Sequence, residues 1–169
     1  EHRTDTIANI AWQNLHQEWA DLQQQPQTPQ RDKRTQQIEK ELETLGQNIF
    51  DHNITGLDGK TYTTRLTHTS VDEYEGIKYS GVIQDENGNR IGTFDRTLIP
   101  DNINGYPEIH HDYLKIDENW QNAGIATTFN ALNEQHYKTA GIDLITVEGA
   151  SGTSGFKGAT HWPKNGFHW

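Results

Sequence analysis

Apolar residues recur at three- and four-residue spacing through the first fifty positions and at two-residue spacing through much of the remaining chain. Ile7, Ile10, Ala11, Leu15, Trp19 and Leu22 predict an amphipathic helix over residues 1–24. The Gln-rich stretch from Gln23 to Gln30, with Pro26 and Pro29, breaks it. Ile38, Leu42, Leu45 and Ile49 then form a narrow stripe over a second helix, residues 31–50, in which Gly46 is either an end or a tolerated interior residue. Two helices joined by a short Pro-containing loop predict an α-hairpin. Its apolar faces are thin, so it must pack on something else: the downstream domain, or a partner or preceding domain of a longer chain.

Beyond residue 50 the period shortens. Asp51 to Gly59 reads as a loop with a turn signal at Asp58-Gly59. Lys60 to Thr69 alternates as a strand, with Tyr62, Thr64, Leu66 and His68 on one face. Residues 70–75 read as an acidic loop. Ile77 to Gln84 and Arg90 to Ile99 are two strands joined by Asp85-Glu86-Asn87-Gly88-Asn89, and Asn-Gly between β-rich runs is a strong hairpin signal. Glu108 to Ile116 is the next strand. Residues 124–140 form a helix with Ile125, Thr128, Phe129, Leu132 and His136 or Tyr137 inward, and Ile142 to Glu148 is a last strand. Strands and helices mixed in this order predict an α/β (α+β) class, a mixed and mostly antiparallel sheet with flanking helices. The expected division is residues 1–58 as a helical appendage and 59–169 as the main domain.

Composition narrows the function classes. The 169 residues suffice for one domain with a real core, and with 31% hydrophobic residues that core must lean on 5 Trp, 6 Tyr and 5 Phe. There is no Cys, which excludes disulfides, thiolate metal sites and a cysteine nucleophile. A net charge of −10 disfavours a large nucleic-acid footprint and mildly favours a cationic substrate, such as an amine or a basic peptide. No apolar run is long enough to span a membrane and no leader is visible, so the expected location is cytoplasmic, or delivered outside as part of a longer chain. With no Met anywhere, position 1 included, the chain is expected to be a piece of a longer protein.

The most informative stretch is Gln121-Asn122-Ala123-Gly124-Ile125-Ala126, which has the spacing Gln-x-x-Gly-x-Ala at a helix start. Free N–H groups in a first helical turn, backed by the positive end of the helix dipole, make an anion site. Gly124 lets the backbone approach a phosphate closely, and Ala126 keeps the next position small. This stretch resembles the acyl-CoA-binding motif of the GCN5-related N-acetyltransferase (GNAT) family. Downstream, Trp162-Pro163-Lys164-Asn165-Gly166-Phe167 is similar to the family's closing Tyr-x-x-x-Gly-Phe. The resemblance covers roughly residues 76–169.

The resemblance implies acetyl-CoA as co-substrate, lying in the splay between the strands on either side of the helix, and an amine-bearing small molecule or protein as acceptor. It implies that the backbone of Ile116, of Gln121, Asn122, Ala123, Gly124, Ile125 and Ala126, and of Thr127 holds the cofactor, with Ile116 polarising the thioester carbonyl. Candidate bases are Glu108, His110, His111 and Glu148, and adjacent His110 and His111 must point to opposite faces of their strand. The position matching the family's Tyr acid holds Trp162, whose indole donates a hydrogen bond but no proton; Tyr113 or Tyr137 substitutes only if the fold brings it close. The chain departs from the family in placing two helices before the first strand rather than after it. The first fifty residues are the expected place for a partner or oligomer contact. A GNAT-like binding or structural module, or the effector end of a secreted protein, are the alternatives.

Other patterns point nowhere specific. Gly149, Gly152, Gly155 and Gly158 lack a dinucleotide fingerprint, and read as a loop. The 9 His, among them His161 and His168, show neither His-x-x-x-His nor His-Glu-x-x-His, so no metal is expected. Ser151 and Ser154 lack a Gly-x-Ser-x-Gly elbow.

Overall fold

The computed structural model describes residues 3–101, 105–142 and 144–147, the side chains of 3–10 excepted. Helix α1 spans Arg3–Gln23 and α2 spans Pro29–Phe50. Thr28 caps α2, its hydroxyl oxygen accepting from Arg31 N at 3.1 Å, and Pro29 opens the first turn, where it loses no helical hydrogen bond. Arg34 clamps Glu18 across the two helices with contacts of 2.7 and 2.8 Å. Neither helix is apolar enough to cross a membrane.

The expected helical pair is therefore present, and it packs on the sheet. Trp12, Ile38, Leu42, Ile49 and Phe50 are buried in one cluster with sheet residues. Tyr79 joins the layers: its hydroxyl donates to Leu42 O at 2.7 Å and accepts from Trp12 Nε1 at 3.2 Å. Gly46 is explained by the same ring. A Cβ there would stand 2.3 Å from Tyr79 Cε1, so only glycine lets α2 lie this close.

The sheet has six strands: β1 (His52–Thr55), β2 (Thr61–Asp72), β3 (Gly76–Gln84), β4 (Arg90–Ile99), β5 (Glu108–Ile116) and β6 (Leu144–Val147), with a 3₁₀ segment (Glu118–Ala123) and helix α3 (Ile125–Thr139) before the last. They pair in chain order, antiparallel except for β5 with β6. The expected mixed, mostly antiparallel sheet flanked by helices is what the chain forms. The Asn87-Gly88 turn closes as expected, with Gly88 at φ 84° and Asp85 Oδ1 accepting from Asn87 N and Asn89 N.

Three local readings need correction. Residues 70–72 continue β2, so the acidic loop is only the turn at Glu73 to Glu75. Residues 52–55 are a strand rather than loop; β1 is too short to show alternation, and only Ile54 is buried along it. His68 does not share a face with Tyr62, Thr64 and Leu66. The register shifts between Leu66 and His68, so the extra residue Thr67 reverses the alternation, and Thr69 and Val71 continue the inward row.

All three helices lie on one face of the sheet. Phe50 from α2, Phe94 from β4 and Phe129 from α3 meet there at ring separations of 4.9–6.5 Å. Each is fully buried and contributes roughly 1.5–3 kcal/mol by its removal from water. The opposite face carries a polar row that the registers align across five strands: Ser70, Lys78, Thr97, His110 and Thr146.

Candidate active site

Gly124 sits at φ 75°, between the 3₁₀ segment and α3. That left-handed conformation is open to glycine at little cost, and it turns the chain sharply into the helix. No side chain caps the first turn of α3, which leaves its N–H groups facing outward at the positive end of the dipole. Ala126 and Thr127 lie in that turn, Thr127 exposed. Ala123 and Ile125 are buried and anchor it, with Ala123 O accepting from Leu57 N at 2.8 Å. Asn122 is exposed. Gln121 folds back, its Nε2 donating to Ile116 O at 2.9 Å, and so ties the turn to the end of β5.

The edge of β5 is set by two features. Among the described residues its ladder with β6 runs from Glu108 beside Leu144 to His111 beside Val147. At the same point Asp112 is extra in the register with β4. The bulge bends β5 at that point. Asp117 N–H points to β4, donating to Ile91 O at 2.7 Å. By the period of two, Ile116 and Leu114 present their backbone groups at the opposite edge, away from β4. Among the described residues no strand pairs with that edge beyond His111.

The strand carboxylate and imidazoles separate cleanly. Glu108 and His110 share the polar face. Thr146 Oγ1 donates to Glu108 Oε2 at 2.9 Å and lies 2.7 Å from His110 Nδ1. His110 Nε2 lies 3.6 Å from Asp112 Oδ1, and Thr97 Oγ1 donates to Asp112 Oδ2 at 2.8 Å. A hydroxyl has one proton, so with Thr146 donating to Glu108 its oxygen accepts from His110 Nδ1, while Nε2 faces Asp112. His111 points the other way. It is 4% exposed, bonded through Nε2 to the Tyr137 hydroxyl at 2.8 Å. Burial first, then the nearby Arg96 guanidinium, holds its pKa well below the ordinary value. It is a core residue between β5 and α3, so its assignment as a base is withdrawn. Burial pushes the Tyr137 phenol well above its usual range in the same network.

The joint assignment of Ile116 and Glu108 to one reaction centre also fails. They terminate the same continuous strand, and eight residues of extended chain span roughly 26 Å. Sequence reasoning missed Asp112, Leu114 and Thr146. Asp112 and Thr146 become visible only through register, and Leu114 only through the bulge that turns it. Glu148 and the segment from Gly149 to Trp169, with Trp162 and the Gly166-Phe167 pair, lie outside the described residues.

Among solved structures the chain is similar to an acetyltransferase from Trypanosoma brucei, at 16% identity and TM-score 0.41, over 54% of this chain and 63% of that one. It is similar to glucosamine-6-phosphate N-acetyltransferase from Arabidopsis thaliana at 14% identity and TM-score 0.41, over 54% and 60%. It is also similar to an aminoglycoside acetyltransferase from an uncultured soil metagenomic sample, at 24% identity and TM-score 0.37, over 42% and 46%. The matched region thus spans about half to under two thirds of those proteins. No family model matches the chain. No curated protein matches it in sequence.

Proposed function

We propose that this chain binds acetyl-CoA between β5 and β6 and transfers the acetyl group to an amine. The observation that carries this reading is the uncapped start of α3 at Gly124, tied through Gln121 to Ile116 at the end of β5. An extended thioester arm needs both: dipole-backed N–H groups for its pyrophosphate and a strand edge for its amides.

The pyrophosphate meets the backbone of residues 124–127. The pantetheine arm runs back along β5 past Ile116, which places the thioester carbonyl at Leu114 N–H rather than at Ile116. The amine attacks the carbonyl carbon, negative charge grows on the oxygen, and the N–H donor stabilises it in place. The C–S bond then breaks and the thiolate leaves. His110 Nε2 takes the amine proton, directly or through water, and Asp112 stabilises the imidazolium that forms. Glu108 holds Thr146, and Thr146 holds the His110 ring. Tyr113 is paired with Asp95 on the same face and is 48% exposed, so its phenol is the group available to protonate the thiolate. The acceptor lies over the polar row, where a cavity of about 230 Å³ includes Asp72, Glu75, Lys78 and Thr97 in its lining. Its two carboxylates suit a cationic amine.

The test is calorimetric titration with acetyl-CoA, with free CoA as control, on the parent chain and on Thr127→Glu. An acidic side chain in the first turn suits the helix dipole and leaves the fold intact, yet it repels a pyrophosphate. Binding in the parent and a loss of at least about tenfold in the variant is the expected result. No binding by the parent, or equal binding by both, overturns the reading.

A further inference from the structure

Arg96 carries a full charge into the core from β4. It is 1% exposed, and its guanidinium carbon lies 6.0 and 5.7 Å from the ring centres of Phe94 and Phe129. Burial lowers its pKa, but an arginine starts so high that it stays protonated. Its partners are the Tyr137 phenol, Asn130 Oδ1 at 3.2 Å, Asp95 O at 3.2 Å and Tyr113 O at 2.8 Å. None of these is a carboxylate. Asp112 and Asp95 act on the charge through space only. A buried charge without a contacting counter-ion is costly, and the fold described so far makes no use of it.

The shortest of these bonds falls at the β5 bulge, where the register with β4 shifts between Asp95 and Arg96. Tyr113 C=O and Leu114 N–H belong to one trans peptide, so they point to opposite edges of the strand. The carbonyl faces β4 and takes the guanidinium proton; the N–H faces away. We propose that Arg96 is a positioning residue for acetyl transfer: through Tyr113 O it polarises this peptide, strengthens Leu114 N–H as a donor, and sets a fixed positive charge behind the thioester oxygen. This rests on the reading above that places the thioester carbonyl at Leu114 N–H.

Hydrogen bonds in a row polarise one another, and a charged donor at the head of the row strengthens each. From guanidinium nitrogen through the peptide to the thioester oxygen the path is roughly 7 Å. A unit charge at that distance, at an effective dielectric of about 20, is enough for a rate effect of about tenfold to fiftyfold. No bond is made or broken at Arg96. As the amine attacks, the carbonyl pair moves onto oxygen. It returns when the C–S bond breaks, and the amine proton goes to His110. Phe94, Phe129 and Asn130 hold the guanidinium in place beforehand, so the charge need not reorganise during the step. A clip that merely braced the bulge would need a donor to Tyr113 O but no charge.

Arg96→Gln and Arg96→Lys separate donor from charge, and NMR of the free chain reads the result at the Leu114 amide. In Arg96→Gln the Leu114 ¹H and ¹⁵N resonances should move upfield of the parent's. In Arg96→Lys they should keep the parent's position while the amine is charged, and fall to the Arg96→Gln position where it titrates. Infrared spectra of bound acetyl-CoA labelled with ¹³C at the thioester carbonyl give the second readout. The parent and Arg96→Lys should lower that stretch; Arg96→Gln should return it toward the free value, with affinity changed less than about threefold. Equal Leu114 shifts in the two variants at every pH down to about 5, below which even a buried lysine is charged, overturn the proposal. So does an unchanged carbonyl stretch in Arg96→Gln. Should both variants fail to fold, the parent decides: a Tyr113 carbonyl ¹³C shift no further downfield than those of the other β5 residues overturns it. A parent that binds no acetyl-CoA overturns the reading of function instead, and the free-chain shifts still judge Arg96.

Discussion

His111 Nε2 and the Tyr137 hydroxyl stand 2.8 Å apart in the core and join β5 to α3. Both are fully buried, and Arg96 lies close to both, its guanidinium donating to Tyr113 O at 2.8 Å. The imidazole is neutral in the folded chain, with its pKa held well below the ordinary value by burial and by Arg96. Above the unfolded value of about 6.5, neither state takes up a proton at this site. Below it, only the unfolded chain does. Stability should therefore fall as pH drops beneath about 6.5, by up to about 1.4 kcal/mol per pH unit from this residue. Denaturant unfolding between about pH 7.5 and about pH 5 measures it, and His111→Gln should show a shallower acid slope.

Glu134 carries the opposite sign. It is buried on α3, and desolvation raises its pKa to about 7, with Lys138 opposing. The folded chain holds this proton where the unfolded chain has lost it, so the stabilisation is complete below about pH 4.5 and disappears as pH rises through about 7. Glu134→Gln should be more stable than the parent at about pH 8, by about 1 kcal/mol after allowance for solvent screening. The difference should vanish near pH 4.5. Paired thermal melts across that range give the answer.

Gly46→Ala should reverse a familiar rule. Replacing an interior helical glycine with alanine normally stabilises by about 1 kcal/mol. Here the new Cβ meets Tyr79, whose ring is itself fixed by Leu42 O and Trp12. The variant should lose about 1–3 kcal/mol in denaturant unfolding, because the ring cannot yield without breaking those bonds.

Gly124→Ala should cost both stability and ligand binding. The left-handed backbone strains any Cβ, and the added atom would stand 2.9 Å from Leu57 Cγ. A loss of about 1–2 kcal/mol is expected. Adding Leu57→Ala removes the clash but not the strain, so the double variant should recover part of the stability. Unfolding curves of the single and double variants separate the two terms.

Most elements of this fold were legible because hydrophobic period reports a face directly. Ile38, Leu42 and Ile49 marked α2, and Asn87-Gly88 marked the β3–β4 turn. The Gln121–Ala126 spacing located the start of α3. An inserted residue is invisible to the period. Thr67 and Asp112 each shift a register by one, and each reverses the faces of everything beyond it. His68 was misplaced for that reason, and the same effect concealed Leu114. Tertiary partners are silent in sequence as well. His110 and His111 look alike on paper, and only Tyr137 and Thr146 distinguish the core residue from the one on the open face.

Each of the first five strands pairs with its neighbour in the chain, through tight turns and short loops, and only β5 with β6 requires a crossover. Loop-closure entropy therefore falls mainly on that one joint. The antiparallel strands can zip outward from the Asn87-Gly88 turn by local steps, whereas β5 and β6 pair only once α3 has docked. The ligand proposed above would recognise the finished joint alone. Its binding free energy would thus add directly to the one crossover joint among the described strands, making the ligand a clasp on the whole sheet.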